Sequence, residues 1–176
     1  MKIVEGMKEL KVILKRMDKN NKQITEYAAL PDNERLHFGS KDNQSKEIKK
    51  LIQANIDLSK NYLVLKQQIE KTNLVTVVEI DGKPYTISEM LVLKRTLAKM
   101  LVQTYKSLND SQARTRITQV RGEKQPIVEK FYDETEKNAG ERFWDDLYHT
   151  IDSRLEVINA TTELFPLSTG TSGCAR

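Results

Sequence analysis

The chain has 176 residues, 31% of them charged and 6% aromatic, with 7 Gly and 4 Pro. That length is enough for a real core, and the composition fits long helices better than a sandwich or a nucleotide-binding α/β fold. The opening MKIVEGMKEL is charged from its second residue, so no signal peptide is expected. No apolar run approaches the ~18 residues that a membrane span needs. The one cysteine, Cys174, has no internal partner, and a free thiol fits a reducing compartment. A cytoplasmic protein is expected.

The formal charge of +4 hides an asymmetry. Residues 1–124 carry 24 Lys/Arg against 15 Asp/Glu, and residues 125–176 carry 5 against 10. Two readings stand: solvated helix faces of opposite sign that attract one another, which is favoured, or a basic surface for an anionic partner.

Ile3, Met7, Leu10, Leu14, Met17, Asn21, Ile24 and Ala28 recur in alternating steps of four and three. That is a heptad seam with one polar member, and it predicts a helix over 2–30 that stops before Pro31. PDNERLHFGSKDNQ, from Pro31 to Gln44, reads as a loop. Ser45 is the expected cap of a second helix over 45–72. That helix repeats the pattern in Ile48, Leu51, Asn55, Leu58, Tyr62, Leu65 and Ile69. Folded back at the loop, the two helices run antiparallel and every seam pair sums to 75 or 76, which sets Asn21 against Asn55. Two amides bonded to each other offset the cost of burying either, and they penalise a slip by one heptad. The alternative is that each Asn sits at a solvated point of its seam.

A hairpin over 74–87 follows. Val75, Val77, Val78 and Ile80 are β-branched, and Asp81-Gly82 supplies the positive φ of a two-residue turn. KPYTI returns as the second strand, with Pro84 suited to an edge. An isolated hairpin is marginal in water, so Val75, Val77, Ile80 and Tyr85 are expected to meet another surface, in a second copy if not in the chain's own helices. Thr86 and Glu89 fit a capping box for a third helix over 88–110. ARTRITQVRGEK, from Ala113 to Lys124, reads as a short extended segment. Pro126 suits the first turn of a fourth helix over 126–158. Its apolar set opens with Ile127, Val128 and Phe131, and a kink or break is expected at Asn138-Ala139-Gly140. The whole is read as one helical domain over 1–164, with a flexible tail over 165–176.

MKIVEGMKELKVILKRM, IEKTNLVTVVEIDGKPYTISEMLVLKRTL and IDSRLEVINATTEL, in that order, resemble a family of small bacterial proteins, also found in phage genomes, that carry the label septicolysin. The match in character covers most of the chain, and the middle block is its most specific part. It departs from the family at Ala160, where an aromatic is usual, and over 111–145. The resemblance implies a helical-hairpin fold, with no established activity and no catalytic residues. It also makes a virion an alternative location to the cytoplasm.

Little in the chain carries chemistry. His37 sits in the expected loop, and His149 lies one turn after Asp145 and three residues before Asp152. Neither has a second His or a Cys nearby, so no metal is expected. No P-loop, dinucleotide fingerprint or nucleophile elbow is present. Asp145-Asp146 and Glu134 with Glu136 read as helix-surface charges, so no cofactor and no enzyme activity are expected. Lys94, Arg95, Lys99, Arg114, Arg116, Arg121 and Lys124 cluster in one region. That cluster could hold phosphates, though no reader motif accompanies it.

The expected fold is mainly α: an antiparallel, coiled-coil-like bundle of long helices with one β-hairpin inserted between helices 2 and 3. The expected function is non-catalytic, as a homo-oligomeric interaction or structural protein with a protein partner possible and no membrane. The alternatives are an anion-binding module for a nucleotide-like ligand and, third, a nucleic-acid binder.

Overall fold

The computed structural model describes residues 1–118 and 127–167. In chain order it contains α1 (Ile3–Tyr27), α2 (Lys41–Val75), β1 (Val77–Ile80), β2 (Lys83–Thr86), α3 (Ile87–Val92), a π-helical segment (Leu93–Leu97), α4 (Ala98–Lys106), α5 (Ser111–Thr118) and α6 (Glu134–Thr161). The protein is mainly helical, with a two-stranded antiparallel hairpin after the second long helix. The chain divides into two compact units. One is Met1–Val75 with the chain from Ile158, and the other is Thr76–Val157.

In the first unit α1 and α2 pair antiparallel. Asn20 and Asn21 bond Asn55, Gln44 bonds the Tyr27 carbonyl, and Gly6 lies against Leu65 and Ile69. Ser40, not Ser45, starts α2: its hydroxyl accepts from Asn43 N–H at 3.2 Å, which adds a turn to the helix. All seven predicted seam residues of α2 are buried or half-buried, and Gln44 and Thr72 extend the stripe at both ends. The α1 seam is rotated from its expected position. Ile3, Leu10, Met17 and Ile24 stay in it, but their alternates are Gly6, Ile13, Asn20 and Tyr27, and Met7, Leu14, Asn21 and Ala28 are exposed. Half of its members move by one residue, which turns the stripe by about 50° of helix. Gly6 explains it. A Cβ there would meet Leu164 at 3.0 Å and Ile69 at 3.3 Å, so the missing side chain is what lets the neighbours close in.

The ends of this unit are tied together. Ile3 N–H donates to the Thr162 carbonyl at 3.0 Å, and Leu164 N–H to the Met1 carbonyl at 2.8 Å. Phe165 N–H donates to the Thr72 hydroxyl at 2.9 Å, and that hydroxyl donates to the Gln68 carbonyl. Residues 165–167 therefore continue the ordered chain where a loose tail was expected. Cys174 lies outside the described residues.

The second unit opens with the hairpin. Val77 pairs with Thr86 and Ile80 with Lys83, and Asp81 and Gly82 have φ of 49° and 74°, as a type I′ turn requires. Thr86 and Glu89 form the capping box: Glu89 N–H donates to the Thr86 hydroxyl at 3.1 Å, and Thr86 N–H to the Glu89 carboxylate at 2.7 Å. Ile87, Met90 and Ile151 are fully buried; each such side chain contributes roughly 1.5–3 kcal/mol by leaving water.

Against α6, the π segment and α4 run antiparallel. Lys94 pairs with Asp152, Lys99 lies over the Tyr148 ring, and Lys106 pairs with Glu141 at 3.3 Å. The helix α6 is continuous through Asn138-Ala139-Gly140, so the chain does not break there. Gly140 is there for space: a Cβ would overlap the ring of Tyr105. The start of α6 is also corrected. Asp133 caps it by accepting from Glu136 N–H at 2.8 Å, and Ile127 and Phe131 precede the helix at 91% and 93% exposed. The expected extended segment from Ala113 begins instead as the helix α5, where Arg114 pairs back to Asp110 at 2.8 Å. A period-two pattern this short does not outweigh a good i,i+4 ion pair and helix-forming neighbours.

Candidate functional site

The helical pair of the first unit carries a polar knot and an uncovered apolar face. Asn55 is the centre of the knot. Its Nδ2 donates to Asn21 Oδ1 at 2.8 Å, and its Oδ1 accepts from Asn20 Nδ2 at 2.8 Å. Asn20 occupies the seam and Asn21 its edge, so the two consecutive amides of α1 clamp one amide of α2. Heptad spacing points to Asn21 and Asn55 and not to Asn20, because Asn20 belongs to the rotated stripe.

The uncovered face follows from the same geometry. In an antiparallel pair, the residue after each seam position turns to the same side on both helices. On α1 those residues include Met7 and Leu14, and on α2 they include Ile52, Ile56 and Leu63. Their exposures are 37%, 50%, 46%, 44% and 59%. Asp18, Lys11, Ser59 and Lys66 fall among them. Large apolar side chains at heptad spacing on one face are what a further helix would cover.

The basic region is largely occupied by its own neighbours. Lys94 is held by Asp152 and Arg114 by Asp110. Lys99 sits 5.3 Å from the Tyr148 ring centre. The Arg114 guanidinium holds the Asp110 carboxyl below its ordinary range through a hydrogen bond, and the Arg114 value rises in return. Arg95 and Arg116 are exposed. Arg121 and Lys124 lie outside the described residues.

The hairpin residues separate by strand period. Val78, Ile80 and Tyr85 share one face and Val77 takes the other. Ile80 is 3% exposed and Val77 60%. Ile80 is thus part of the chain's own core, the first of the two surfaces expected for it. Tyr85 is half-buried and lines a shallow groove of about 340 Å³ with Val92, Leu93 and Leu97. Val75, at the end of α2, is exposed.

At the tip of the α1–α2 pair, Tyr27 stacks on His37 with ring centres 4.4 Å apart, and Phe38 packs edge-on against both. The buried Gln44 braces this corner through the Tyr27 carbonyl and the Phe38 N–H. An open cleft of about 880 Å³ lies beside it, lined by Leu30, Pro31, Leu36 and Ile48 together with Arg35, Lys41, Lys49, Asp32 and Glu34. Three basic and two acidic side chains thus share its lining.

His149 lies 3.9 Å from Asp145 on the exposed side of α6, and the remaining acid of that candidate cluster, Asp152, is taken by Lys94. Among the described residues no group of three His, Cys, Asp or Glu side chains is placed to hold a metal ion. No helix among them is long and apolar enough to cross a membrane. Comparison with family models, curated proteins and solved structures finds no match to this chain.

Proposed function

We propose that the protein is a non-catalytic, self-associating interaction protein, for which the α1–α2 pair is the working surface. The observation that carries this reading is the row Met7, Leu14, Ile52, Ile56 and Leu63, left uncovered at heptad spacing by a chain that has already filled its own seam. Apolar surface of this kind is stabilised by burial against another helix pair. The polar knot beneath it supports the same reading, because it holds the two helices in one register and so presents a fixed surface. The resemblance to septicolysin-labelled proteins fits a helical hairpin without a reaction centre, and it makes a phage setting part of the proposal.

Anion binding by the basic region has less support. Three of its five described members are already engaged by carboxylates or a ring, and freeing them would cost part of whatever a ligand contributed.

Light scattering coupled to size exclusion, run from about 1 to 100 μM, tests the proposal in the range of weak to moderate interfaces. A mass that rises above the monomer with concentration is expected. A monomer throughout that range overturns it.

A further inference from the structure

The outer side of α1 carries an unmatched stripe of positive charge. Lys8, Lys11, Lys15, Lys19 and Lys22 recur at steps of three and four residues, and all are exposed. At 100° and 1.5 Å per residue they fall within about 80° of arc, turned away from the Leu10, Met17 and Ile24 seam, and run about 21 Å along the axis. Between Lys8 and Lys22 no other residue falls within that arc. Like charges at this spacing repel one another and destabilise a helix.

The neighbouring helix arranges its charges differently. On α2, Lys50 pairs with Glu47 at 2.5 Å, Lys60 with Asp57 at 3.5 Å and Lys66 with Glu70 at 3.3 Å. On the α1 stripe Lys22 has such a partner, Asp18 at 2.8 Å. Asp18 is also three residues from Lys15, and Glu5 three from Lys8, but Asp18 is taken by Lys22 and Glu5 accepts from the Lys2 N–H at 2.8 Å. Glu9 lies on the far flank, and Glu26 stands beyond Lys22 at the end of the stripe. Among the described residues Lys8, Lys11, Lys15 and Lys19 have no carboxylate partner. A face that had only to be solvated would be more stable with the matched pattern of α2. Stacked ammonium groups carry a repulsion that an anionic partner relieves.

The shape of the stripe names that partner. It is straight and narrow, which suits a row of phosphates better than a single ion. Lysines are point charges without the planar fork that reads a base edge, so they grip a backbone and carry no sequence information. Between Lys8 and Lys22 there is no aromatic side chain, and single-strand binders rely on such rings to stack unpaired bases. The all-lysine arc also has no apolar side chain to enter a lipid surface. We infer that the outer side of α1 binds the phosphate backbone of double-stranded nucleic acid without regard to sequence. This surface is separate from the uncovered apolar row, and the inference does not depend on self-association.

Fluorescence anisotropy with a labelled DNA duplex of about 20 base pairs tests it. Binding should be micromolar at about 50 mM salt, with log K falling against log salt at a slope of roughly −4. Lys11→Gln/Lys15→Gln/Lys19→Gln should weaken binding roughly tenfold or more and reduce the slope by about 3. It should melt no lower than the wild type, because the like-charged neighbours are gone. The same change of charge on α2, Lys50→Gln/Lys60→Gln/Lys66→Gln, should leave the slope in place. A duplex that does not bind, or whose binding falls equally with the two triple variants, overturns the stripe as the site. Tighter binding to an oligo(dT) strand of the same length, or to phosphatidylglycerol vesicles, overturns the duplex as the partner.

Discussion

Asn55 Nδ2 donates to Asn21 Oδ1 at 2.8 Å across the α1–α2 pair, and the other half of the same amide accepts from Asn20. One amide of α2 is therefore read twice by α1. A slip of either helix by one heptad breaks both bonds and leaves apolar neighbours against unpaired amides, which is how a polar seam residue sets register.

Asn55→Ala should accordingly cost more than Asn21→Ala. The first removes two hydrogen bonds and the second one, at about 1 kcal/mol each, less where water competes. Urea unfolding monitored by circular dichroism measures the difference. Equal costs for the two variants would mean that the Asn20 bond contributes nothing, and a double-mutant cycle on Asn20 and Asn55 would then show no coupling.

Gly140→Ala should destabilise the protein although it sits mid-helix, where alanine is ordinarily better than glycine by about 1 kcal/mol. The reason is the Tyr105 ring lying on the Gly140 backbone. In a Tyr105→Ala background the same change should become stabilising. Thermal melts of the four proteins give the sign, and a stabilising Gly140→Ala in the wild type would show that the ring is not held there.

Gly6 makes the matching prediction in the first unit. A leucine at this position would fill space already taken by Leu65, Ile69 and Leu164, for a loss of roughly 1–3 kcal/mol by overpacking. Met7→Leu, one residue away and exposed, should be nearly neutral. If Met7→Leu proved the more damaging, the seam would be the one expected from heptad counting and not the rotated one.

Acid should loosen the helix starts of the second unit. Thr86, through its backbone N–H first and its hydroxyl second, holds the Glu89 carboxyl below its ordinary range. The Glu136 N–H does the same for Asp133 at the head of α6. A carboxyl whose value is lowered on folding contributes stability that is present above its unfolded value and disappears as pH falls through its folded value. Stability should thus be level near neutrality and decline below about pH 4, where free carboxyls titrate. Asp133→Asn should flatten part of that decline while costing little at neutral pH, since asparagine also caps. A decline unchanged by both Asp133→Asn and Glu89→Gln would assign it to other groups.

Most local structure was legible in the residues. The Asp81-Gly82 turn, the Thr86–Glu89 box and the α2 stripe are set by interactions within a few residues, and each stands where the pattern placed it. Where two local signals compete, the pattern is ambiguous: Ser40 and Ser45 both suit a cap, and the alternation from Ala113 onward competes with the Asp110–Arg114 pair. Where the deciding contact was distant, no local signal existed. Nothing near Gly140 in sequence announces that Tyr105 will lie on it, and nothing near Gly6 announces Leu164.

Periodicity, caps and turn residues act over a few ångströms of neighbouring backbone, and they are enough to specify a mainly helical chain, the antiparallel return of its first two helices and one hairpin. Which way α1 is turned, and with it whether Met7 and Leu14 are core or surface, depends on packing between distant segments. Two stripes on α1 share half their members and differ by about 50° of rotation, so their hydrophobicity barely separates them. The choice falls to whichever stripe lets the neighbours close, and the stripe through Gly6 does so because it has no side chain to hold Leu65, Ile69 and Leu164 away.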